Sequence, residues 1–252
     1  MRVLDQLEPK RVFSFFEDLC AIPHGSGNTK AISDYCVKFA QERGLEVHQD
    51  SLNNVVIVKP ATPGYEAAPT VIVQGHLDMV AEKTPESTIN FLTDGLELMV
   101  DGDFVRAKGT TLGGDDGIAV AMALAVLDSN DLAHPRLECL FTVDEEAGMG
   151  GAVGFDASIL KGKRLLNIDS EEEGILTVSC AGGAHAAAHI EMHANECALD
   201  SAEIRISGLK GGHSGAEIDK GRANATITLG RVLQALVDEL EVRIVSAEGG
   251  DR

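Results

Sequence analysis

Apolar residues recur every three or four positions over residues 9–22, where Val12, Phe15, Phe16 and Leu19 share one side of a helix. A second helical stretch begins at Asn28, which reads as its cap, and runs to about Arg43, where Gly44 stops it. The period then drops to that of strands. "GLEVHQD" and "NNVVIVKP" flank a polar turn and predict a hairpin, and residues 70–73 form a short run apolar enough for a central strand. The Ala-rich stretch over 118–127 is apolar on several sides, as a helix packed on a sheet would be. "LECLFTVDEE" and "RLLNIDSEEEG" again read as strands that end in carboxylates. Helix and strand alternate, which predicts an α/β domain.

The pattern shifts at "SCAGGAHAAAHIEMH", where Gly182 and Gly183 read as a hinge. Beyond it, "AHAAAHIEMH", "SAEIRISGLKG" and "EVRIVSAE" predict strands, and residues 223–240 predict one clear helix. The expected organisation is an α/β domain over 1–182 and the opening of a second, α+β domain over 183–252. The latter is short for an independent core.

Composition narrows the function. The 252 residues are 44% hydrophobic, enough for a substantial core. A formal charge of -19 opposes nucleic acid and anionic membrane surfaces as partners. Two tyrosines and no tryptophan leave little for a base-stacking platform. No window approaches the roughly 20 apolar residues of a membrane span, and the first residues lack a signal-type apolar core, so the expected location is cytoplasmic. Five cysteines without a CxxC pair read as reduced thiols, most of them buried, with Cys180 in a Gly-rich turn the one set apart.

The chemistry lies where apolar segments run out. Four of them finish in histidine or acids: "TVIVQGHLDMV" with His76 and Asp78, "GTTLGGDDG" with Asp115 and Asp116, "TVDEEAGMGG" with Glu145 and Glu146, and "LLNIDSEEEG" with Asp169. Ligands of open α/β sheets bind outside the carboxyl ends of the strands, so these residues can converge there. Converging carboxylates repel one another unless a cation neutralises them. One imidazole with several carboxylates suits zinc, with manganese and cobalt as alternatives, better than calcium. The surplus of acids over what one ion needs predicts two metals with a bridging carboxylate. Of the pair Glu145 and Glu146, one is expected to ligate and the other to remain free as a proton acceptor. Asp116, directly before Gly117, is open to helix capping as well as to function. His185, His189 and His193 are spaced as on one face of a helix, but lack the acid of an HExxH motif and are assigned to a solvated face. His213, between glycines in "GLKGGHSGAEI", is either a turn histidine without a role or one exposed to a substrate.

In the order "GHLDMV", "GTTLGGDDGIAVAMALAVL", "TVDEEAGMGGA", "NIDSEEEG", "LKGGHSGAEI", these motifs closely resemble the aminoacylhistidine (Xaa-His) dipeptidases, a branch of the two-zinc co-catalytic peptidases. The resemblance runs from "IPHGSGN" onward. It implies a three-layer zinc-peptidase-like domain followed by a lid. It also implies two zinc ions per complete subunit, a dipeptide substrate and a homodimer. Carried over by position, His76 and Asp169 would bind one zinc, Asp115 would bridge, and Glu146 would bind the second. Asp78 would orient His76, Glu145 would be the general base toward the attacking water, and His213 would steady the oxyanion in a partner subunit's site. A cis peptide between Asp115 and Asp116 is implied as well. The relatives are longer and supply a distal histidine to the second zinc, so the sequence is expected to be a truncated form that stops inside the lid. Two other readings remain: a further two-zinc amidohydrolase such as a deacetylase or tripeptidase, and an inactive metal-binding fragment.

Overall fold

A computed structural model of the chain describes residues 2–170, 173–180, 182, 186–193, 196, 198–212 and 217–249. Helix α1, Lys10–Cys20, buries Phe16 and Leu19 of the predicted stripe together with Cys20, while Val12 and Phe15 are half-buried against the core. Helix α2, Lys30–Glu42, starts one residue later than expected, with Thr29 at the cap position. Asn28 is committed elsewhere: its amide donates to the carbonyls of Phe91 and Leu92, both at 3.3 Å. Gly44, at φ 64°, turns the chain away after the helix, a conformation that glycine adopts without steric cost.

Strands β1, Glu46–Gln49, and β2, Val55–Lys59, form the expected antiparallel hairpin. Asp50 ties its turn, accepting the amides of Leu52 and Asn54, both at 2.9 Å. Strand β3 is Val71–His76. Strands β4, Leu98–Asp101, and β5, Phe104–Ala107, make a separate hairpin absent from the elements predicted above. Its two-residue turn, Gly102 and Asp103, is a recognisable hairpin signal, with Gly102 at φ 60°. Helix α3, Gly114–Asp128, is followed by β6, Leu137–Thr142, the short helix α4, Gly150–Gly154, and β7, Arg164–Asn167.

The main sheet has the order β1-β2-β6-β3-β7. It is mixed, because β2 meets β6 antiparallel while β3 runs parallel to both β6 and β7. Side-chain alternation sorts its residues onto two faces. Val55, Ile57, Cys139 and Phe141 pack with residues of α1, α2 and α3, among them Phe16, Ile32 and Leu124. Val56, Val58, Ile72 and Leu140 form a second cluster covered by Phe155 and Leu160 from the connection after α4. The result is helices on one face, the sheet, and a thinner cover on the other.

The chain divides into two units, 1–181 and 182–252. The second contains helix α5, Ala225–Glu239, within the predicted range; the Asn224 side chain caps it by accepting the Ile227 amide at 2.9 Å. The strands expected at "AHAAAHIEMH", "SAEIRISGLKG" and "EVRIVSAE" are not present as strands among the described residues. A strand exists only through a hydrogen-bonded neighbour, and these mostly exposed segments have no ladder partner among the described residues. His189 and His193 are exposed, as assigned, while His185 and His213 lie outside the described residues. Cys20, Cys36 and Cys139 are buried free thiols and Cys180 is exposed.

Candidate metal centre

Because β6, β3 and β7 are adjacent and parallel, their carboxyl ends open on one edge of the sheet. His76 is the last residue of β3 and only 1% exposed. Its Nδ1 lies 2.9 Å from the backbone carbonyl of Asp78, which makes Nδ1 a donor and turns Nε2 outward. Nε2 stands 3.0 Å from Asp115 Oδ1 and 4.0 Å from Asp169 Oδ1. Asp115 and Asp116 come from the start of α3 and not from a strand end. Both depart from helical φ/ψ, and the peptide between them is cis.

Asp116 does not cap α3. It is 1% exposed, and its Oδ2 accepts the backbone N–H of His76 at 3.1 Å. Gly75 makes room for it: a Cβ there would lie 2.6 Å from that same oxygen. The burial of Asp116 is therefore a property of two segments 40 residues apart, and the sequence carries no local sign of it.

Glu145 and Glu146 follow β6 in a loop closed on itself. Gly151 N–H donates to the Val143 carbonyl at 3.0 Å, and the amides of Gly148 and Met149 both reach the Glu145 carbonyl at 3.0 Å. A Cβ on Gly151 would fall 2.3 Å from the Val143 carbonyl oxygen and 2.5 Å from Asn54 Oδ1. Gly151→Ala is expected to lower stability by about 1–3 kcal/mol, read from the urea midpoint, because backbone must move.

Two sets of donors could each surround an ion: His76, Asp115 and Glu146, and His76, Asp116 and Asp169. Within each set the ligand atoms lie within 4.8 Å of one another. An imidazole with carboxylates fits a first-row divalent cation. Glu145 is in neither set. Asp116 is the residue that the sequence left open and the geometry adds.

Electrostatics agree with a site built for a cation. Burial, reinforced by neighbouring acids, pushes Asp116 up to about 7 and raises Asp169 and Glu146 as well. Burial opposes charge on His76, yet hydrogen bonds to Asp115 and Asp78 outweigh it and raise the ring to about 11. Burial also works against the Asp78 carboxylate, but the nearby His76 ring and hydrogen bonds from Ser26 and the Glu145 backbone hold its pKa below the usual range. Asp116 and His76 both bind protons more tightly folded than unfolded. Without metal, the stability that Asp116 contributes is present below about pH 4 and is lost as pH rises through 7. That of His76 is present below about 6.5 and lost towards 11. A metal must displace these protons. Zinc affinity is thus expected to rise steeply between pH 5 and 8 with net proton release, measurable by calorimetry in buffers of different ionisation enthalpy.

The fold is shared with a tripeptidase from Staphylococcus aureus, which aligns with a TM-score of 0.55 at 24% identity, over 65% of this chain and 44% of its own. In sequence the chain is similar to dipeptidases. It is 41% identical over 252 residues to the cytosol non-specific dipeptidase of Escherichia coli, covering 99% of this chain and 52% of that protein. The crystal structure of aminoacylhistidine dipeptidase from Vibrio alginolyticus matches with a TM-score of 0.71 and 41% identity, over 96% of this chain and 50% of that one. The chain thus spans about half the length of these relatives. No protein-family model matches it. Among the described residues no helix is long and apolar enough to cross a membrane.

Proposed function

We propose that these residues carry the metal-binding half of a dipeptidase that hydrolyses short peptides, Xaa-His dipeptides in particular, in the cytoplasm. The observation that carries the reading is the convergence of His76, Asp115, Glu146 and Asp169 from four chain regions onto two overlapping donor sets, the second completed by Asp116. His76, Asp115 and Asp169 would hold one zinc. Asp115 would bridge to a second, held by Glu146 and by a histidine outside these 252 residues. Manganese or cobalt would fit the same donors. The metal pair supplies Lewis-acid polarisation of the scissile carbonyl and acidifies the attacking water.

The chain's own residues do the rest. Glu145, outside both donor sets, accepts the proton of the attacking water on its carboxylate and returns it to the leaving nitrogen. Asp78 fixes the His76 ring through its carbonyl and holds the amides of Glu145 and Glu146 through its carboxylate. His213 would meet the oxyanion, in a partner subunit's site if the protein is a homodimer. Residues 1–182 would then be the catalytic domain and 183–252 the first part of a lid.

The test compares this chain with a protein of its relatives' full length. Two zinc ions per full-length subunit and chelator-sensitive hydrolysis of Xaa-His dipeptides are expected. A full-length protein that binds zinc at other residues, or hydrolyses no dipeptide when loaded, overturns the reading.

A further inference from the structure

Residues 24–28, between α1 and α2, belong to neither donor set, yet they touch the machinery around Glu145 and Glu146 twice. Gly25 and Met79 pair as a parallel bridge, with Ser26 N–H donating to the Met79 carbonyl and Met79 N–H to the His24 carbonyl, both at 3.2 Å. This lays Ser26 against Asp78, and its hydroxyl donates to Asp78 Oδ2 at 2.7 Å. The Asp78 carboxylate, in a residue 1% exposed, also accepts the N–H of Glu145 at 3.0 Å and that of Glu146 at 3.3 Å. One residue further on, Gly27 N–H donates to Asp144 Oδ1 at 2.6 Å. Asp144 sits at φ 56°, an uncommon conformation for a residue with a side chain.

We propose that Ser26 is a positioning residue for the Glu145–Glu146 pair, acting through Asp78, with the Gly27 amide as a second tie through Asp144. What Glu145 and Glu146 do rests on the metallopeptidase reading; the ties themselves do not. Asp78 has two claimants. His76 Nδ1 lies 3.5 Å from Asp78 Oδ1, but that nitrogen is already served by the Asp78 carbonyl, so the carboxylate is free to face the loop. Ser26 fills the remaining demand of a buried carboxylate and fixes its orientation. Without the hydroxyl, the carboxylate is under-bonded and can rotate toward the imidazole, releasing the two amides.

The test uses Ser26→Ala and Ser26→Thr in the 252-residue chain. Amide hydrogen exchange is read at Glu145 and Glu146, with the amides of β2 and β6 as internal reference. Ser26→Ala should accelerate exchange at both glutamates by about tenfold, the loss of one charge-assisted bond, and leave the reference unchanged. Ser26→Thr, which keeps the hydroxyl, should stay within about twofold of the unsubstituted chain. Unchanged exchange at Glu145 and Glu146 in Ser26→Ala, or equal acceleration throughout β2 and β6, overturns the proposal. The readout needs neither zinc nor turnover. Failure of full-length protein to bind zinc or hydrolyse dipeptides would therefore sink the proposed function while the exchange data still decide the role of Ser26.

Discussion

Glu145→Gln in a full-length, metal-loaded protein is expected to lower kcat by about 10²–10⁴-fold, the usual worth of a positioned general base, with little change in zinc content. The expectation follows from its place: its backbone is anchored on Asp78 at 3.0 Å, but its carboxylate belongs to neither donor set. Glutamine keeps size and polarity and loses only the proton-accepting oxygen. Glu146→Gln is the contrast, since Glu146 is in a donor set and its replacement should cost metal first. Turnover and metal content measured on the same preparations separate the two. If Glu145→Gln loses metal as readily as Glu146→Gln, the division of labour within the pair is wrong.

His76→Ala is the second large effect. His76 is the one imidazole of both donor sets and would be a direct ligand of the first zinc, so zinc affinity should fall by more than the roughly 10–100-fold typical of an outer-sphere change. The same substitution should destabilise the metal-free chain near neutral pH. The ring is the cation among Asp78, Asp115 and Asp169 at 3.0–4.0 Å, and without it the acids face one another. Calorimetric titration with zinc and urea unfolding at pH 7 check the two parts. Unaltered affinity would remove His76 from the centre.

The legible parts of this molecule were those that depend on local order. His76 could be placed because an apolar run ends in H-x-D, and Asp169 because its strand ends two residues earlier. Long motifs then carried the resemblance across nearly the whole chain. Through-space facts were not legible. Asp116 looked as much a cap as a functional acid, because what buries it is the missing side chain of Gly75. Asn28 looked like a cap because nothing local announces Phe91 and Leu92. The β4–β5 hairpin carries one local sign, its Gly-Asp turn, between strands of only four residues each. In 182–252 the alternating patterns predict strands that are absent among the described residues, because a strand needs a neighbour, which a pattern cannot supply.

The parallel pairing of β3 with β7 bears on how the protein acquires its chemistry. Gln74 and Asn167 hydrogen-bond across 93 residues of chain, and Asp169 reaches His76 only after that pairing is made. Contacts so distant in sequence form late and slowly, because chain entropy must be spent before they reward it. A nascent or partly folded chain would therefore lack the assembled donor sets, and metal loading is expected to follow folding and not to guide its beginning.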